Sequence, residues 1–68
     1  MKKTALWVVI QMAHSAERAQ EIRDRLTEEG FMIDIRPVSG ETDGQMFEIR
    51  ALSSEAREAR NLLAELGL

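Results

Sequence analysis

Apolar and polar positions along the chain fall into five blocks, three with strand spacing and two with helical spacing. Residues 5–12, Ala-Leu-Trp-Val-Val-Ile-Gln-Met, are rich in β-branched and aromatic side chains and predict a first strand, apolar on both faces. Ala16, Ala19, Ile22 and Leu26 then step by 3, 3 and 4, laying one apolar stripe along a helix. Ser15 is placed to cap its first turn, and Glu17 lies near the positive end of its dipole. Glu21 and Arg25 are spaced as an i,i+4 ion pair, and Gly30 suits the left-handed residue that ends such a helix.

Beyond Gly30 the period changes to two. Phe31, Ile33 and Ile35 alternate with Met32, Asp34 and Arg36, so residues 31–36 predict a second strand with one buried and one open side. Pro37 then withdraws a donor, and Gly40 and Gly44 punctuate a polar connection from Ser39 to Gln45. Alternation resumes over residues 46–51, with Phe47, Ile49 and Ala51 inward and Met46, Glu48 and Arg50 outward. Two such strands joined by a Gly-bearing loop make a hairpin. Ser53 or Ser54 is placed to cap a last helix, in which Ala56, Ala59, Leu62 and Leu66 repeat the earlier stepping and Gly67 closes the end.

The strand-then-helix unit thus occurs twice, about 40 residues apart, as a weak internal repeat. Residues 1–68 are expected to form one α+β domain of βαββα order, half-ferredoxin-like. A right-handed first crossover with the third strand slotted between the other two gives strand order 1-3-2, the middle strand antiparallel to both. Both helices then cover one face of the three-stranded sheet and leave the other bare; an order of 2-1-3 is the competing arrangement.

Two surfaces follow from the preferred order. The first strand becomes a long apolar edge, with Lys2 and Lys3 before it and no charge in its middle. Self-association through this edge is one expectation; cover by a turn or by Gly67-Leu68 is the other. The open face is the second surface. If Leu6, Val8 and Ile10 point to the helices, then Trp7, Val9 and Gln11 point away, the register that polar Gln11 favours. The internal repeat favours the opposite register, aligning Trp7 with Phe47 and Val9 with Ile49. With the first register preferred, the candidate partner surface is Trp7, Val9, Gln11, Met32, Arg36, Glu48 and Arg50. On such a face, opposite charges on neighbouring strands can also simply pair with one another.

Composition narrows the chemistry. A chain of 68 residues buries only about 60% of the surface its unfolded form exposes, and its core alone rarely supplies more than roughly 3–5 kcal/mol. There is no Cys to add disulfides or thiolate metal sites, and the single histidine, His14, makes no imidazole cluster. Association is the remaining source of extra stability. A net charge of −3 argues against nucleic-acid and anionic-membrane partners. Sheets that bind RNA present aromatics on the open face, whereas Phe47 is expected inward. The apolar run from Ala5 to Ile10 is six residues, short of the roughly 7–15 of a secretory signal core, so a cytoplasmic location is expected.

Candidate chemistry is sparse. His14 and Ser15, at the carboxyl end of the first strand, could contact an anion at the helix N-terminus. Glu41 and Asp43 lack the ligand count of a calcium loop and suit turn chemistry. No glycine-rich phosphate loop and no activated nucleophile stands out, so no catalytic, metal or cofactor-binding residue is assigned. The expected role is a non-enzymatic protein-interaction or regulatory module, with an unidentified protein or itself as partner. The alternative is a small anionic-ligand sensor binding near His14 and Ser15.

The segments Ala5-Leu-Trp-Val-Val-Ile-Gln-Met-Ala13, Leu26-Thr-Glu-Glu-Gly-Phe31 and Ser54-Glu-Ala-Arg-Glu-Ala-Arg60 resemble a group of short, uncharacterised bacterial βαββα proteins. Some of that group carry a glutamate decarboxylase label from automatic annotation. The layout is also similar, more distantly, to βαββα proteins classed as prokaryotic signal transducers. The decarboxylase label implies pyridoxal phosphate in a Schiff base with a buried lysine. The only lysines here are Lys2 and Lys3, at a terminus, and no cofactor is expected.

Overall fold

The computed structural model describes residues 6–38 and 46–68. Its elements run β1 (Trp7–Ala13), α1 (Ala16–Glu28), β2 (Ile33–Val38), β3 (Met46–Leu52) and α2 (Ala56–Leu66). The sheet order is β1-β3-β2, with β3 antiparallel to both neighbours. This is the α+β, βαββα architecture with order 1-3-2. The connection from Ser39 to Gln45, with Glu41 and Asp43, lies outside the described residues, as do Lys2 and Lys3.

Both helices lie on one side of the sheet. Ala19, Ile22 and Leu26 of α1 and Ala56, Ala59 and Leu63 of α2 share one buried cluster with Ile10, Ala13, Ile49 and Ala51 from the strands. The partly buried side chains of Val8, Phe31, Ile33, Ile35 and Phe47 extend it across the same face. No polar or charged residue is buried among the described residues.

Each helix ends in the same way. At the end of α1, Gly30 N–H donates to Thr27 O (2.9 Å) and Phe31 N–H to Leu26 O (3.1 Å). At the end of α2, Gly67 N–H donates to Ala64 O (3.2 Å) and Leu68 N–H to Leu63 O (3.0 Å). These are paired Schellman closures, each needing a left-handed residue, supplied by Gly30 at φ 97° and Gly67 at φ 76°. The pattern Leu-x-x-x-Gly-apolar lies behind both closures.

Several local expectations shift. Ser15 does cap α1, its Oγ accepting from Arg18 N–H at 3.1 Å, but Ala16 stays exposed. Glu21 pairs with Arg18 (3.4 Å) rather than with Arg25. The N-cap of α2 is Glu55, not Ser53 or Ser54, and no side chain caps it. A turn closed by Glu55 N–H on Leu52 O (2.8 Å) delays the helix, and the Glu55 carboxylate instead accepts from Met32 N–H at 3.2 Å. The buried stripe of α2 is Ala56, Ala59 and Leu63, with Leu62 and Leu66 only half-buried. Strand β2 starts two residues later than its alternation suggested, because Phe31 N–H is engaged by the α1 closure. It also runs through Pro37, which an edge strand tolerates.

Candidate functional site: the open face of the sheet

The register lays out the bare side of the sheet in rows. Trp7 pairs with Leu52, Val9 with Arg50 and Met12 with Glu48. On the far side of β3, Asp34 pairs with Arg50, Arg36 with Glu48 and Val38 with Met46. Because side chains alternate and Ile49 and Ala51 are wholly buried, all of these positions point away from the helices. Met32, just before β2, continues the row of Trp7 and Leu52. The first row is therefore apolar (Trp7, Leu52, Met32), as are the last (Met46, Val38) and the β1 column (Trp7, Val9, Met12).

Four charged residues fill the space between. Arg50 Nη2 donates to Asp34 Oδ2 at 3.1 Å, and Arg36 Nε lies 4.0 Å from the same oxygen. The Arg50 side chain is only 21% exposed, and its Nε is enclosed without an acceptor. Among the described residues, Glu48 has no ion-pair partner, although it sits directly across from Arg36. The quartet is electrically neutral and only partly self-satisfied.

Strand β1 places its side chains by an irregularity. Its register shifts between Val9 and Gln11, leaving Ile10 as the extra residue of a β-bulge. Trp7 (37% exposed) and Val9 (39%) accordingly lie on the open face, as the preferred register has them. Gln11 does not. The bulge turns it to the helix side opposite Ile49, where its Nε2 donates to Leu68 O at 3.0 Å. Met12 (38% exposed) takes the open position instead. Leu6, expected to face the helices, remains 61% exposed.

The free edge of β1 is less bare than its sequence implies. Ser53 N–H donates to Leu6 O (2.8 Å), so Leu6 turns its backbone groups to β3. Alternation then turns those of Trp7 and Val9 to the edge. There Arg60, from α2, donates through Nη2 to Val9 O at 3.3 Å. A bulge and a long cation over the edge are both devices that discourage strand addition.

At the other candidate site, His14 and Ser15 are exposed, and Ser15 Oγ is engaged by its own helix. Shallow hollows of about 320, 300 and 180 Å³ lie elsewhere among the described residues, the first between β1 and the end of α2 at Ile10, Gln11, Arg60, Leu63 and Leu68. None of the three is lined by His14 or Ser15. Among the described residues, no three His, Cys, Asp or Glu side chains are grouped to hold a cation, and no helix is long and apolar enough to cross a membrane.

Comparison with protein-family models, with curated proteins and with solved structures returned no match. The functional reading therefore rests on the face itself. Sequence spacing brings Trp7, Val9, Met32, Arg36, Glu48 and Arg50 onto it, whereas Met12, Leu52 and Val38 join through the bulge and the longer strands.

Proposed function

We propose that this chain is a non-enzymatic protein-interaction module whose recognition surface is the open face of the sheet. The observation that carries this reading is the exposure of Trp7, Val9, Met12 and Met32 together on one flat face, around a neutral charged quartet. Isolated surface apolar residues need no explanation, but several large apolar side chains exposed together on one face mark a contact surface. Trp, Met and Arg are also side chains in which interface cores are enriched. A flat face suits a macromolecule better than a small substrate, which binds in concave sites.

Site-specific photo-cross-linking tests this. A photoreactive residue in place of Val9 or Met12 is expected to give a discrete protein adduct in cells. One in place of Gln20 or Glu28, both exposed on α1, should give none. An adduct of twice the chain mass identifies a second copy; another mass identifies a different protein. Equal labelling from sheet and helix positions, or none from the sheet, contradicts the reading.

A further inference from the structure

We propose that the occupant of the open face is a second copy of this chain, stacked face to face about a two-fold axis running across the strands between the Arg50 and Glu48 rows. This rests on the reading of the open face as the interaction surface and adds its partner.

The argument is one of self-complementarity. A two-fold axis lying in the interface and perpendicular to the strands keeps each strand over its own counterpart and inverts the order of the rows. Arg50 then falls opposite Glu48 of the other copy, and Asp34 opposite its Arg36, because the quartet is a checkerboard of signs. Val9 meets Met12, Leu52 meets Met46 and Met32 meets Val38, so these apolar positions also meet apolar ones; Trp7 has no β1 counterpart in the last row and lies at the rim of the contact. Each contact occurs twice by symmetry. The Glu48 carboxylate, without an ion-pair partner among the described residues, is brought by this axis over the Arg50 guanidinium of the other copy, whose own-chain partner is Asp34.

Two further observations favour stacking over edge pairing. The bulge and Arg60 obstruct the β1 edge, while nothing described covers the open face. Aligned sheets also stack at about 10 Å, a distance that side chains of this size span. The face comprises about a dozen side chains, fewer than the roughly 20–30 per partner of a standard interface. The dimer is therefore weak and concentration-dependent.

The test uses paired charge reversals read by sedimentation and by NMR. The wild-type chain should pass from monomer to dimer as concentration rises from micromolar to millimolar. Glu48→Arg places Arg against Arg50 of its twin, and Arg50→Glu places Glu against Glu48; each alone should weaken dimerisation about tenfold or more, since like charges face each other. An equimolar mixture of the two variants should recover dimer, because every reversed charge then meets its opposite. Should Arg50→Glu fail to fold, Val38→Cys with a nitroxide label substitutes, there being no native cysteine. Mixed with isotope-labelled wild type, it should broaden the Met32 signals of that nitroxide-free copy. A monomer at every concentration, a mixture no better than its components, or a dimer in which Met32 stays sharp overturns the proposal. If the chain stays monomeric while Val9 and Met12 cross-link a different protein, the interaction reading stands and only the second copy is lost. If neither occurs, both fall.

Discussion

Ile49→Ala is expected to leave most molecules unfolded at 25 °C. Ile49 sits in the central strand, between Gln11 and Ile35 in register, and is completely buried. With Ile22 and Leu26 it is one of the largest fully buried side chains, and it joins the cluster shared by both helices. Truncating such a residue removes its transfer free energy and leaves a cavity, together about 2–5 kcal/mol. A chain this short rarely has more than roughly 3–5 kcal/mol of net stability to lose. The loss is comparable to the whole. Urea titration followed by circular dichroism should show a cooperative wild-type transition and, for the variant, no folded baseline at low urea. A shift worth under about 1 kcal/mol would mean that Ile49 is not enclosed by the helices.

Ala59→Leu should cost about 1–3 kcal/mol through the opposite fault, overpacking. Half of the buried residues described are alanines: Ala13, Ala19, Ala51, Ala56 and Ala59 among ten. Small side chains there let both helices approach the sheet closely, and close-packed interiors do not yield room for three more carbons without moving backbone. Because α2 presents Ala59 on its inner side and Ala64 on its outer side, Ala64→Leu is the control and should change stability by less than about 0.5 kcal/mol. Thermal unfolding of the pair distinguishes them. Equal effects would place α2 in a different rotation about its axis.

The architecture was legible because three independent signals agreed. Period-two alternation in residues 31–36 and 46–51, period-3.6 stripes at Ala19–Ile22–Leu26 and Ala56–Ala59, and glycines at both helix ends each reported local structure. Slotting the third strand between the first two, as in a split βαβ unit, gave the preferred order 1-3-2. What escaped was set by tertiary contacts. Nothing in Val9-Ile10-Gln11 announces a bulge: no glycine marks it, and only the pairing with β3 shows that Ile10 is extra. Its consequence was large for the candidate site, since it moved Gln11 inward and Met12 outward. The reach of Arg60 to Val9 O spans 51 residues of sequence and reads locally as an ordinary solvated helix charge. Ser53 and Ser54 are the better capping side chains by type, yet Glu55 opens α2 with its carboxylate spent on Met32 N–H rather than on the helix.

Whether the face with Trp7 is bare is read most directly from Trp7 itself, the only tryptophan in the chain. Acrylamide quenching of its fluorescence should be efficient, with solvent-shifted emission, at micromolar protein. Blue-shifted emission already protected from quencher in dilute solution would place the indole among the helices and contradict the account at its base.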